Sequence, residues 1–332
     1  MYNIKMNAKI IQGYTNLINE TNTKIKSSEL DAKTKTGLRF KINHYRKALK
    51  KVKELGSEIT LESDLKVIGN FTKSEIEHIK KFLESDIIVN NAEVQQSKEL
   101  DLLQTVTGIG PKKAQDLLTI HKLKLSDLLS GKGSDLLTHH QLMGIKYYHD
   151  LNERIPRAEI TKMKSYMSKQ LSDGFKLEVC GSYRRKNKTS GDMDVLIFNP
   201  SVEDISKSIF FSCFIEKLTN RGFLVDSLTP NDSSTKYMGM CQLSPEDKVR
   251  RIDIRFIPAS SVGSAMLYFT GSGEFNKNMR SYAIKLGYKL NEYGLFKKNG
   301  ERVPTTTEKD IFDVLKVPFL EPDQRTKDVK FK

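Results

Sequence analysis

The chain has 332 residues, 38% hydrophobic and 29% charged, and its 55 Lys and Arg against 41 Asp and Glu give a formal charge of +14. That length allows about two to four domains with cores of their own, and the cationic excess calls for a polyanionic partner, nucleic acid before a membrane surface. No apolar run of roughly eighteen residues and no signal peptide is found, so a spanning or secreted reading is unsupported, and the widely spaced Cys180, Cys213 and Cys241 draw neither a disulfide framework nor a zinc pattern and read as buried thiols in a reducing compartment.

The first ninety residues are predicted helical. Ile10, Ile11, Tyr14, Leu17 and Ile18 form one apolar stripe, and Ala48, Leu49, Val52 and Leu55 form another. Gly37, Gly56 and Gly69 punctuate them. Opposite the second stripe Arg46, Lys47, Lys50, Lys51 and Lys53 crowd one side of a helix. Such a run is usually a solvated face, but beside the nucleic-acid signals that follow it reads as a DNA-binding one. An eroded hairpin, KVIGNFT, lies at residues 66 to 72, with Gly69 its surviving glycine.

Residues 102 to 118, LLQTVTGIGPKKAQDLL, read as helix, tight turn and second helix with Pro111 in its first turn, the helix-hairpin-helix pattern. Gly108 and Gly110 let backbone N–H groups approach a phosphate, Lys112 adds charge, and binding of this kind ignores base sequence. In residues 136 to 155, His139, His140 and His149 have no carboxylate or Cys to complete a zinc set, so helix packing and DNA contact are expected of them. An amphipathic helix over Ala158 to Leu171 follows.

Residues 179 to 198, VCGSYRRKNKTSGDMDVLIF, read as strand, basic turn and strand. A strand has a side-chain period of two, so Asp192 and Asp194 project from one face. Sixty residues on, RRIDIRFI at 250 to 257 alternates Ile252, Ile254 and Phe256 with Arg251, Asp253 and Arg255; the apolar set faces a core and Asp253 the open side. Three carboxylates on adjacent strands beside arginines fit a two-metal phosphoryl or nucleotidyl transfer site. Oxygen-only ligation suits Mg2+, with Mn2+ as the alternative. Gly181 and Ser182 offer backbone N–H and hydroxyl groups to a triphosphate. Residues 264 to 280 break at Gly271 and Gly273, and Thr307 with Asp310 has capping-box spacing.

GSYRRxxxxSGDMDVL, TKYMGMCQL, RRIDIRFIP, YFTGSxxFNKNMR and EKDIF, in this order and at these distances, resemble the family X DNA polymerases. The resemblance runs from roughly Asn43 to Arg325 and is densest after Leu102. It implies a multi-domain α+β chain: a helical lyase-like, 5'-phosphate-binding domain at 1–90, helix-hairpin-helix fingers at 91–150, a nucleotidyltransferase palm with a mixed β-sheet at 151–260, and a small α/β thumb at 261–332. Asp192 and Asp194 would hold both Mg2+ ions and Asp253 the catalytic one. Arg154, Arg185, Ser190, Gly191 and Gly271 would join Gly181 and Ser182 in lining the nucleotide path. Tyr268 and Phe269 would shape the sugar pocket and Asn276 meet the minor-groove edge of the incoming base. Lys41, Tyr45, Lys236, Arg251, Arg280 and Tyr293 would contact DNA, and Arg251 would also orient Asp253. Carbonyls of Gln104, Val106 and Ile109 would hold a monovalent cation at the hairpin.

The resemblance thus implies a monomeric, intracellular enzyme, nuclear or at a viral or cytoplasmic replication site, that fills short DNA gaps bearing a 5' phosphate with dNTPs, as in base excision repair. Two alternatives stand beside it: a template-independent or RNA-directed nucleotidyltransferase, against which the hairpin and residues 268 to 280 argue, and a non-catalytic DNA-binding protein, which gains nothing from three clustered anions. One departure concerns lyase chemistry. Where the family carries its Schiff-base lysine this chain has His78, with Lys81 one helical turn on as the candidate substitute and Lys73 and Lys80 alongside. Gly273 stands where an aspartate would flank the incoming base.

Overall fold

The computed structural model describes residues 7–26, 30–89, 91–205, 209–228, 234–326 and 328–331. Its contacts divide the chain into two units, Met1–Thr105 with Ile109–Gly133, and Val106–Gly108 with Ser134–Lys332.

The first unit is helical among the described residues: α1 (Ala8–Lys26), α2 (Ala32–Glu54), α3 (Leu65–Gly69), α4 (Lys73–Glu84), α5 (Asn91–Gln104), α6 (Pro111–Thr119) and α7 (Leu125–Leu129). The two apolar stripes meet in one core. Ile10, Ile11 and Tyr14 pack with Tyr45, Ala48, Leu49, Val52, Ile79 and Phe82, while Leu17, Ile18 and Leu55 lie at its margin. Gly37 does not break a helix. It sits inside the 23-residue α2, because one glycine costs a helix interior only about 1 kcal/mol and the buried face supplies more.

The basic run divides into two sets. Lys51 pairs with the buried Glu75 at 2.8 Å, and Lys53 with Asp101 at 2.5 Å, so these two cations hold helices together, while Arg46, Lys47 and Lys50 stay exposed. In the hairpin at 66 to 72 the left-handed residue is Asn70, φ 46°, whose N–H closes on the carbonyls of Leu65 and Lys66. Gly69 remains helical, and a Cβ there would strike the Phe71 ring. Thr72 and Glu75 then cap α4 reciprocally.

The second unit contains α8 (His139–Lys146), α9 (Tyr148–Leu151), β1 (Ile155–Pro156), α10 (Arg157–Ser168), β2 (Lys176–Val179), α11 (Gly181–Arg184), β3 (Thr189–Ser190) and β4 (Met193–Phe198). There follow α12 (Phe210–Asn220), β5 (Leu224–Ser227), β6 (Lys236–Cys241), β7 (Arg250–Ile257), α13 (Val262–Thr270), α14 (Gly273–Lys285), β8 (Tyr288–Asn291), β9 (Gly294–Lys297), β10 (Arg302–Val303) and α15 (Glu308–Val314). Five strands pair in the order β2-β4-β7-β6-β5. Only β4 and β7 are parallel, so the sheet is mixed.

One face of this sheet, with Val179, Val195, Ile197, Ile252, Ile254 and Phe256, packs on Ile160 and Met163 of α10 and on Phe211 and Phe214 of α12. On α12 that leaves Cys213 exposed, because Phe211, Phe214 and Leu218 take the buried face. The expectation of three buried thiols holds for Cys180 and Cys241 only. Leu196 turns to the other face and packs with Cys180, Ile257 and Ala265 of α13. The same face carries Asp194 on β4 and Arg251, Asp253 and Arg255 on β7. A second small sheet, β10-β9-β8, encloses with α13, α14 and α15 a core of Leu267, Phe275, Met279, Ile311 and Phe312.

Candidate active site

β4 and β7 run parallel in a register that sets Asp194 directly opposite Asp253. Neighbouring strands lie about 4.8 Å apart, and alternation brings Asp192 to the side of Asp194. Burial first, and then the charges of Asp192 and Asp253, push the Asp194 carboxyl up to about 7, although Arg185 and Arg251 pull it down. Burial likewise raises Asp253, opposed by Arg251 and Arg255 and assisted by Asp192. Arg251 Nη2 reaches Asp253 Oδ1 at 2.6 Å. The other guanidinium nitrogen, Arg251 Nη1, is buried without a hydrogen-bond partner.

Among the described residues no three His, Cys, Asp or Glu side chains converge as a ready-made metal cage. The donor set nevertheless fits a hard divalent cation, being carboxylate oxygen alone, with burial and mutual repulsion lifting the Asp194 carboxyl to about 7.

Gly181 occupies a position that only glycine suits. Its φ is +55°, and a Cβ would lie 2.6 Å from Asp194 Oδ2. The turn it starts ends in Arg185, whose Nη1 donates to the Thr270 carbonyl at 2.5 Å. The β1–β3 ladder, Ile155 opposite Ser190 and Pro156 opposite Thr189, assembles a second cationic corner. Arg154 donates to the Thr189 hydroxyl at 2.7 Å and to its carbonyl at 2.9 Å, and its Nη1 stands 4.0 Å from where Gly191 would carry a Cβ. The Ser190 hydroxyl is buried and unpartnered.

On the far side, Asn276 donates to the Tyr268 carbonyl at 2.6 Å, and Tyr268 meets Phe269 edge-on with ring centres 5.2 Å apart. Gly271 has φ +69°, with Arg185 Nη1 3.1 Å from its would-be Cβ. Helical spacing puts Gly273, Asn276 and Arg280 on one face of α14, and no atom lies within 4 Å of a Cβ placed on Gly273. A cavity of about 510 Å3 opens here between Arg185, Ser272, Gly273, Glu274, Asp323 and Thr326.

Lys236 pairs opposite Arg255, and Met238 opposite Asp253, so the exposed Lys236 lies two rungs along the sheet from the carboxylates. Tyr293 sits in the β8–β9 turn, 58% exposed. In the first unit Tyr45 and His78 meet edge-on at 5.5 Å beside Tyr14 and Phe82. The Lys41 ammonium stands 5.9 Å over Tyr45. Lys81 is exposed on the next turn of α4. At the hairpin Gly108 has φ +89°, Gly110 precedes the Pro-led α6 as its cap, Lys112 is exposed, and Val106 and Ile109 are buried.

Several site-forming residues escaped sequence reasoning. Arg184 donates to Glu308 at 2.5 and 2.9 Å and to the Thr270 hydroxyl at 2.6 Å. Arg325, with no exposed surface, reaches the same carboxylate at 2.5 Å amid the rings of Phe275, Phe312 and Phe319. Burial opposes ionisation of Glu308, but the two guanidinium groups outweigh it and hold its pKa low. Arg250, 4% exposed, clamps Glu159 at 2.7 and 2.9 Å and fixes α10 to β7. His140, whose Nε2 is buried and unpartnered, is held towards the neutral form by burial and then by Arg251 and His139. The RR doublets were the available signals, but doublets do not name their partners.

Three family models match the chain in succession: the fingers domain of DNA polymerase lambda at residues 101–152, the DNA polymerase beta palm at 154–259 and the DNA polymerase beta thumb at 265–326. DNA polymerase lambda of Rattus norvegicus is 33% identical over 300 residues, covering 85% of this chain and 52% of its own. Its counterpart in Arabidopsis thaliana is 29% identical over 306 residues, 85% and 57% respectively. The chain thus spans about half the length of these curated relatives. A crystal structure of Leishmania infantum polymerase beta, a ternary P/T complex, superposes with a TM-score of 0.64 at 34% identity, covering 70% of this chain and 99% of that one. No helix among the described residues is long and apolar enough to cross a membrane. Matched in succession by fingers, palm and thumb models, and 34% identical to a polymerase beta chain that it covers to 99%, the chain belongs to the family X DNA polymerases.

Proposed function

We propose that this chain is a DNA-directed DNA polymerase that adds single deoxynucleotides to a primer 3' end in short, 5'-phosphorylated gaps, acting as a monomer in DNA repair of the base excision type. The observation that carries the reading is the Asp194–Asp253 register, with Asp192 beside it and the Asp194 carboxyl raised by burial and by its two acidic neighbours.

Asp192, Asp194 and Asp253 would hold two Mg2+ ions, or Mn2+ in their place. When bound, these supply Lewis acidity to the primer hydroxyl and the leaving pyrophosphate. Asp253 would accept the hydroxyl proton or pass it to water. Arg154, Arg185, Gly181 and Ser182 receive the triphosphate, with Ser190 and Gly191 behind them. Tyr268, Phe269 and Gly271 surround the sugar, Asn276 faces the base, and Arg280 the template. Arg251, Lys236 and Tyr293 contact primer and template.

The helical unit takes the 5' side of the gap through Lys41 and Tyr45, and the hairpin takes phosphates through Gly108, Gly110 and Lys112, with a monovalent cation held by carbonyls of Gln104, Val106 and Ile109. Domain limits follow the sequence reading at 90, 150 and 260. An imidazole cannot form a stable iminium, so His78 makes 5'-deoxyribose phosphate lyase activity weak or absent, with Lys81 its one candidate nucleophile. The discriminating experiment compares dNTP with rNTP incorporation on gapped and single-stranded DNA. Templated dNTP addition confined to gapped DNA is expected, and equal addition to single strands overturns the reading.

A further inference from the structure

Three consecutive cations close the glycine turn, and each reaches a different point. Arg184 goes to Thr270 and Glu308, Arg185 to the Thr270 carbonyl, and Lys186 to Asp323, Nζ to Oδ2 at 2.8 Å. The first two contacts are largely enclosed; the third lies at the surface, with side chains 69% and 37% exposed.

Lys186 holds this contact from an unfavourable backbone. Its φ is +62°, the left-handed region that costs a residue with a Cβ about 1–2 kcal/mol and that glycine fills cheaply at the end of a helical turn. Two other lysines, Lys122 and Lys316, also have positive φ. Of the three, Lys186 alone has an acidic partner among the described residues. Its neighbours Arg185 and Asn187 line the 510 Å3 cavity, and so do its partner Asp323 and the Thr326 that follows. The ion pair therefore ties together two segments that both line that cavity.

We propose that Lys186 and Asp323 are a positioning pair for the incoming nucleotide, a surface strap that fixes the width of the cavity beside Arg185. This rests on the proposed role of Arg185, which lines the cavity, in receiving the nucleotide's triphosphate. The strap touches no reacting atom, so it sets how tightly the nucleotide is held and leaves the chemical step alone. Being exposed, it is weak and screened by salt, and its loss costs roughly two- to fivefold in nucleotide affinity.

The test is KM for dNTP and kcat on gapped DNA for four variants of the full chain. Lys186→Gly removes the charge and suits the left-handed backbone, so folding is preserved; Asp323→Asn removes the other partner. Each is expected to raise KM roughly two- to fivefold at unchanged kcat and with no fall in thermal midpoint. The double variant Lys186→Asp with Asp323→Lys reverses the pair, Asp tolerating the left-handed region, and restores KM. Unchanged KM in both single variants overturns the proposal, as does a reversed pair that fails to recover. Arg185→Ala separates the two levels: if it leaves KM unaltered, the nucleotide reading itself fails; if it raises KM while the strap variants do not, only the strap fails.

Discussion

Replacing Asp194 by Asn is expected to stabilise the metal-free protein at pH 8 while abolishing catalysis. Burial, then Asp192 and Asp253, lift the carboxyl from 3.8 to about 7. The folded protein therefore keeps a proton through a range in which the unfolded chain has released it. The stability contributed by this group is complete below about pH 4 and is lost as the pH rises through 7, because the native state binds more protons there. At about 1.4 kcal/mol per tenfold in proton affinity, a rise from 3.8 to about 7 corresponds to about 4 kcal/mol at most, since Asp194 keeps part of its surface in water. A neutral Asn does not incur that loss. Melting in EDTA at pH 8 should place Asp194→Asn several degrees above the native chain, at about 2–4 °C per kcal/mol, with the gap narrowing toward pH 5. Mg2+ should then raise the native midpoint and leave the variant unmoved. An Asn variant that melts at or below the native protein at pH 8, or a gap indifferent to pH, refutes the reasoning.

Gly181→Ala places a methyl group 2.6 Å from Asp194 Oδ2 at a φ of +55°; primer extension should fall by about tenfold or more and stability by about 1–2 kcal/mol, and native-like extension would show that Asp194 can move without consequence. Borohydride trapping on 5'-incised abasic DNA should give little covalent product, because His78 occupies the aromatic cluster with Tyr45. Efficient capture contradicts this, and its disappearance in Lys81→Ala would identify the substitute nucleophile.

The carboxylates were legible in the sequence because a strand's period of two converts D-x-D and I-D-I directly into faces. The apolar stripes on α1 and α2 were legible for the same reason at the helical period. Pairings were not. Lys51 and Lys53 looked like members of one basic face, yet their partners Glu75 and Asp101 lie far along the chain, and nothing local distinguishes a cation that ties helices from one that meets phosphate. Arg184, Glu308 and Arg325 form their cluster across 124 and 17 residues of separation. Asn70, not Gly69, takes the left-handed position that ends α3, and Gly69 is needed instead because the ring of Phe71 leaves no room for a Cβ there, a steric fact visible only after folding. Gly37 was misread as a break because propensity is a weak prior once a helix has a face to bury.

The central claim, templated nucleotidyl transfer by Asp192, Asp194 and Asp253, is tested most directly by primer extension on a one-nucleotide gap with a 5' phosphate, run with each templating base, with and without Mg2+. The expected result is addition of the complementary dNMP that depends on Mg2+ and disappears in Asp192→Ala, Asp194→Ala and Asp253→Ala while gapped-DNA binding survives in all three. Addition indifferent to the templating base, or near-native extension by a protein lacking Asp194, would contradict it.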